Sequence, residues 1–225
     1  LAAAVAVTAV REGARALLVD CDPLGGGLDL VLGAEDLGGL RWPGVGVEGG
    51  RVPAAALHAA LPSPRIGRHD GGLGVLSCDR SAHGPAPAAV RAVVEAGRRA
   101  GDVVVCDLPR YPTEAAAAAL AVADLVALVV TADVRSSASG ARVAALIGQH
   151  GRPVRAVVRG PAPGGVEADE VARAVGIPLL TAMRPEPGLA RALERGEAPP
   201  RPHGPLADAA RSVLAAMRSA SGTPS

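Results

Sequence analysis

Residues Leu17–Gly33 read LLVDCDPLGGGLDLVLG: an apolar run ends in two aspartates around a cysteine and opens at once into three glycines. A Leu/Val run without polar alternation suits a strand buried on both faces of a parallel sheet. Carboxylates and a glycine-rich turn at its end point to phosphate and magnesium chemistry, because aspartates ligate the ion and glycines let backbone N–H groups approach an anion. One residue type that this chemistry recruits is absent. All 23 basic positions are arginine, so the lysine of a phosphate-binding loop is nowhere in the 225 residues.

The same pattern recurs along the chain. Strands are predicted at Ala16–Asp20, Leu73–Ser77, Val103–Asp107, Leu125–Thr131, Val154–Val158 and Ile177–Leu180. Between them, helical patterns cover Pro53–Leu61, Pro87–Ala100, Thr113–Ala123, Ser136–His150, Glu167–Val175 and Gly188–Arg195, with a last one at Leu206–Met217. This alternation predicts an α/β fold with a doubly wound, mostly parallel sheet. The glycine-rich segment Leu37–Arg51, which holds Trp42, and the proline-rich segment Gly196–Pro205 read as surface connections inside one domain, 1–218, followed by a flexible tail, 219–225. The chain opens with LAAAVAVTAVREG, a helix pattern closed by Gly13, and reads as a domain entered after its first element.

Composition narrows the function. A formal charge of +1 with scattered arginines gives no basic field for nucleic acid or lipid, and 1% aromatic content leaves no platform for stacking bases. No apolar run reaches the roughly 18 residues of a membrane-spanning helix. Cys21, Cys78 and Cys106 lack C-x-x-C spacing, which argues against disulfides or zinc and for a reducing, cytoplasmic compartment.

Ligands of open α/β sheets bind at the carboxyl ends of the strands. Asp20 and Asp22 fall there in VDCDPLGGG, and Asp107 in VVVCDLPRYPT, an apolar strand closed by one aspartate as in a Walker B segment. Taken singly, each is as well explained by a solvated aspartate capping a turn. A G-x-G-x-x-G dinucleotide fingerprint aligned on Gly25 and Gly27 meets Leu30 where Gly or Ala is needed. Ser136, Ser137 and Ser139 read as helix N-cap residues. His58, His69, His83, His150 and His203 are scattered without metal spacing, and Cys21 and Cys106 read as small core residues. The final helix carries only Arg211 and Arg218 and no bulky aromatics, which favours docking on the sheet over lipid insertion.

Together these segments resemble the deviant-Walker ATPases of the MinD/ParA family. LLVDCDPLGGGLDLVLG is similar to the family's switch I strand and turn, VVVCDLP to its Walker B segment, and LVALVVTADVRSSASGARVAAL to the strand and helix that follow. The likeness continues through RAVVRGPAPGGVEADEVARAVGIPLLTAMRPEPGLARALERGEAP, whose wording looks closest to the actinobacterial CpaE-like, septum-site-determining group. The resemblance implies ATP and Mg2+ as cofactors and an ATP-dependent homodimer acting as a spatial switch. Its partners would be proteins of cell division or of pilus and secretion systems, reached at a membrane or pole through those partners. Asp22 would polarise the attacking water, Asp107 would hold magnesium, and Asp20 would support the magnesium shell. Arg159 stands where the family has asparagine, and Arg184, Pro185 and Glu186 match its second base-contacting loop.

In that family a lysine-bearing glycine loop precedes a helix much like LAAAVA. The resemblance therefore implies that the P-loop and its strand lie outside this chain, which would be inactive as it stands. Two function classes follow: an ATP-driven switch, favoured by the aspartates, and a catalytically silent adaptor of the same fold, favoured by Arg159. The resemblance also implies that Ala16–Asp20 lies directly beside Val103–Asp107, with Cys21 close to Cys106 and with Asp20, Asp22 and Asp107 around one cleft.

Overall fold

A computed structural model describes residues 1–47, 50–69, 71–80 and 84–221. His83 and the last four residues of the expected tail lie outside them. Contacts divide the chain into two compact units, Leu1–Val122 with Gly188–Pro200, and Ala123–Pro187 with the chain from Arg201 onward.

The first unit holds α1 (Ala2–Arg11), β1 (Ala16–Asp20), α2 (Leu28–Val31), a 3-10 turn at Trp42–Gly44, α3 (Ala54–Ala60), β2 (Leu73–Leu76), α4 (Pro87–Arg99), β3 (Val103–Asp107) and α5 (Glu114–Val122). Its three strands are parallel in the order β2-β1-β3. The central strand β1 is buried at every residue and β3, at the edge, only half-buried at each, as a one-sided pairing requires. β1 lies directly beside β3, as the resemblance implied, and the two run in register from Ala16 opposite Val103 to Asp20 opposite Asp107. Side chains alternate along a strand. Leu17, Val19 and Cys21 thus share one face, where they join a core with Leu57 of α3, Val90 and Val93 of α4, and Ala118 of α5. The helix α1 packs against β1 and β3, and its residues Ala3–Val10 are all buried.

The second unit holds β4 (Val126–Thr131), α6 (Val134–Gly148), β5 (Val154–Arg159), α7 (Ala168–Val175), β6 (Leu179–Met183) and α9 (Pro205–Ser221), with parallel strands in the order β4-β5-β6. Val130, Ala156 and Val158 form its core with Ala144 of α6 and with Val171 and Val175 of α7. Gly140 lets α6 lie close on β4, because a Cβ there would meet the Val130 side chain at 3.2 Å. The last helix α9 docks on β6, as anticipated.

Several boundaries move. β6 begins at Leu179 and ends at Met183, two to three residues beyond the predicted Ile177–Leu180, because Pro178 has no N–H to give and contributes only its carbonyl, which accepts from Ala156. The serines do not cap α6: Asp133 does, its carboxylate accepting from Ser136 N at 2.8 Å, so the helix starts at Val134. Residues 219–221, expected to fray, close α9. The short α2 inside the glycine turn was not foreseen.

The segment Gly188–Pro200, which carries α8 (Leu189–Leu193), belongs to the first unit although the chain on both sides of it belongs to the second. Two contacts hold it there. Arg11 donates to the carbonyl of Pro200 at 2.7 Å. Gly33, at φ +60°, lies backbone to backbone on Gly196, so close that a Cβ on Gly33 would meet the Gly196 carbonyl carbon at 2.8 Å.

Candidate nucleotide site

The in-register pairing of Asp20 with Asp107 brings both carboxylates to the carboxyl end of one parallel sheet, on the same face. Asp22 follows in the turn, and the Cys21 N–H donates to the Asp107 carbonyl at 2.9 Å. The three aspartates then differ sharply in environment.

Asp20 is almost fully buried, and protein donors surround its carboxylate. Oδ1 accepts from Asp22 N at 3.0 Å. Oδ2 accepts from Leu28 N at 3.3 Å, Ser77 Oγ at 3.3 Å and Cys78 N at 3.4 Å. One side chain thus ties the first and last residues of the glycine turn together and fastens both to the end of β2. Its carbonyl accepts from Trp42 Nε1 at 2.5 Å. Burial raises the Asp20 carboxyl above its ordinary value, while the bonds from Asp22, Leu28, Cys78 and Ser77 oppose the rise.

Asp107 is the reverse case. Among the described residues no donor bonds its carboxylate. Burial raises it above its ordinary value, and Asp20 and Asp22 raise it further. Asp22 is half-buried, and its Oδ1 accepts from Leu24 N at 3.2 Å, an Asx turn that shapes the start of the glycine loop. Nearby, hydrogen bonding with the Cys106 thiol and burial push the Cys21 thiol up, so the two sulfurs meet as expected, and burial pushes Cys78 up to about 12. The Cys21 and Cys78 thiols are thereby kept protonated and serve as packing.

Mg2+ in nucleotide sites is held by one or two carboxylates together with substrate phosphates. Asp107 fits that demand: an undonated carboxylate, raised by burial and then by neighbouring like charges that a cation would relieve, at the ligand-binding edge of the sheet. Asp20 fits less well, since protein donors already occupy both of its oxygens. Among the described residues no three His, Cys, Asp or Glu side chains form a metal cage of their own.

The turn also contains a cluster that sequence reasoning missed. Asp29 is buried and receives Arg80 in a two-pronged contact, Nη1 to Oδ1 at 3.3 Å and Nη2 to Oδ2 at 3.2 Å, with Arg41 Nε at 3.6 Å. Ser77 Oγ bonds Asp29 Oδ1 at 3.2 Å, so one hydroxyl bridges Asp20 and Asp29. The only hint in the sequence is that Asp29 stands in an otherwise apolar LDLVL run and Ser77 at a strand end.

The other residues singled out from the sequence lie in the second unit. Arg159 ends β5 with its side chain exposed, and its carbonyl accepts from Ala132 N at 3.0 Å. Arg184, Pro185 and Glu186 follow β6. Glu186 Oε2 accepts from Leu206 N at 3.0 Å and so fastens the start of α9.

Three-dimensional comparison places this architecture. The chain aligns with a ParA family ATPase from Chlorobium tepidum at a TM-score of 0.78 and 15% identity, covering 95% of this chain and 90% of that one. It aligns with the MinC:MinD cell division complex of Aquifex aeolicus at 0.76 and 22%, covering 95% and 88%. This is the MinD/ParA fold. The septum site-determining protein MinD of Pyrococcus horikoshii, solved with Mg-ADP, aligns at 0.74 and 17%, covering 98% and 90%. No family model matches the sequence. Two curated proteins from strains of Mycobacterium tuberculosis, Rv3660c and MT3760, each described as uncharacterized, are 47% identical over 212 residues, 94% of this chain. The chain spans 59% of their length. No described helix is long and apolar enough to cross a membrane.

Proposed function

We propose that this chain is the hydrolytic and dimer-forming part of a MinD/ParA-like ATP switch of the CpaE-like kind, acting in septum-site determination or in the positioning of a pilus or secretion system. The observation that carries the reading is the register of β1 on β3, which sets Asp20 and Asp107 side by side with Asp22 at one sheet edge. In this reading a strand and phosphate loop from residues outside the chain complete the edge of β3, which no described strand occupies. Asp107 would hold Mg2+, which when bound neutralises phosphate charge. Asp22, half-buried and presented by its Asx turn, would orient and polarise the attacking water. Asp20 would act by closing the turn that carries Asp22. Arg159 would stack on the purine, with Arg184 and Pro185 beside the base.

One observation favours the silent-adaptor reading instead: the Glu186 carboxylate is engaged with α9 and is not free for a base. The two are separated by extending the chain through its upstream coding sequence and measuring Mg-ATP binding, hydrolysis and dimerisation. The switch reading expects the extended protein to dimerise with ATP, Asp107→Asn to weaken Mg-dependent binding, and Asp22→Ala to spare binding while slowing hydrolysis. The 225 residues alone should bind no ATP measurably, because no lysine is present to grip phosphate. An extended protein that neither binds nor hydrolyses ATP leaves the adaptor.

A further inference from the structure

The glycine turn is held from two sides. Asp20 joins its ends, but the helix α2 that terminates it is only four residues long, too short to be stable by its own hydrogen bonds. What fixes α2 is Asp29, buried and bound to β2 through Ser77 and to Arg80 beyond it. Arg80 reaches Asp29 by passing over Gly27. A Cβ on Gly27 would fall 2.7 Å from Arg80 Nη1 and 2.7 Å from Asp29 Oδ1, and Gly27 itself sits at φ +93°. The third glycine of the turn therefore keeps open the space through which the ion pair forms. Arg41 also reaches Asp29, but its guanidinium has further acceptors in the carbonyls of Leu37, Gly39 and Leu40. Arg80 bonds Asp29 and no other described residue.

We propose that Arg80, anchored on Asp29 across Gly27, is a positioning residue that holds the Asp22 turn in its hydrolytic conformation. The inference rests on the nucleotide-switch reading and adds to it a residue on β2's exit loop that touches neither Asp22 nor Asp107. More than half of the Arg80 side chain is exposed, and Arg41 still faces the buried Asp29 when Arg80 is removed, so the pair contributes little to global stability. Its effect is local: removing it leaves α2 tied only through Ser77 and Arg41, and the turn between Asp22 and Leu28 loses its fixed exit. A misplacement of about 1 Å in a positioned group costs on the order of 100-fold in rate.

The test compares Arg80→Ala, Arg80→Lys and Gly27→Ala with the parent, using two readouts. In the 225-residue chain, amide hydrogen exchange at residues 22–31 should accelerate about ten-fold in Arg80→Ala and Gly27→Ala, with the unfolding midpoint of Arg80→Ala unchanged. In the upstream-extended protein kcat should fall ~10- to 100-fold with the Kd of ATP unchanged, and Arg80→Lys, which keeps the charge but not the two-pronged contact, should recover part of it. Unchanged exchange in Arg80→Ala overturns the proposal and leaves the nucleotide reading standing. So does faster exchange with unchanged kcat, or a Kd that weakens in step with kcat, which would make Arg80 a ligand contact. An extended parent that fails to bind ATP overturns the nucleotide reading and this inference with it.

Discussion

Replacing Asp20 by asparagine is a sharper probe of the turn than replacing it by alanine, because its two oxygens are used unequally. Oδ1 receives a single donor, Asp22 N, whereas Oδ2 receives Leu28 N, Ser77 Oγ and Cys78 N. An asparagine has one acceptor oxygen and one NH2, which cannot face a donor. Its carbonyl should turn to the three-donor side, leaving the NH2 against the Asp22 N–H. One charge-assisted bond is then lost, worth about 1.5–3 kcal/mol. Part of this is returned because the neutral amide escapes the burial that raises the carboxyl of Asp20. The net cost should be about 1–2 kcal/mol. Asp20→Ala strands three backbone donors, since Ser77 Oγ keeps Asp29, and at the low end of ~1 kcal/mol per unsatisfied buried donor should cost about 3 kcal/mol. Trp42 is the only tryptophan, and its indole bonds the Asp20 carbonyl, so its fluorescence during urea unfolding reports this turn directly. The asparagine variant should unfold in one transition with a parental slope and a slightly lower midpoint. Equal losses for asparagine and alanine, or a loss below ~0.5 kcal/mol for alanine, would refute the account of Asp20 as the clasp of the turn.

Two further outcomes can be read on the same chain. Gly33→Ala places a Cβ against the Gly196 backbone at a left-handed φ and should cost about 2–4 kcal/mol, whereas Gly26→Ala, with nothing within 4 Å, should stay within ~0.5 kcal/mol in urea titration. Acid should act on the carboxylates with opposite signs. Asp107, raised in the folded state, contributes stability that is complete below its ordinary value of 3.8 and lost as pH rises through its folded value. Asp133, lowered to about 2 by Thr131 and Ser136, contributes stability present above 3.8 and lost as pH falls through about 2. Urea midpoints across the acid range should therefore rise at neutral pH in Asp107→Asn and lose their acid limb in Asp133→Asn. A neutral-pH midpoint lowered by Asp107→Asn would show that its carboxylate has a partner.

The strands β1 and β3 were legible to the residue, because a continuous β-branched run ended by an aspartate leaves little choice of boundary. The adjacency of the two strands was likewise anticipated from the resemblance, whereas the register that sets Asp20 opposite Asp107 was not. The three serines of α6 drew attention from Asp133, although a carboxylate three places before the first of them is as good an N-cap. Asp29, Ser77, Arg41 and Arg80 could not be found from spacing. Ser77 lies 48 and Arg80 51 residues from Asp29, and only the parallel pairing of β1 with β2 brings them to one edge. A buried carboxylate of this kind leaves no periodic trace, only an acidic residue in a run otherwise made for the core.

The return of Gly188–Pro200 to the first unit has a practical corollary. The backbone passes from one unit to the other at 122/123, 187/188 and 200/201, so neither unit is an uninterrupted stretch of sequence. A fragment stopping at 187 would strip Gly33 of its Gly196 surface and Arg11 of its acceptor, and one starting at 123 would carry a stretch of polypeptide whose packing partners it lacks. A single proteolytic nick therefore cannot liberate either unit intact. Dissection by truncation would report on damaged pieces, and only three simultaneous cuts, or a chain begun at residue 123 with residues 188–200 replaced by a neutral linker, would isolate the second unit.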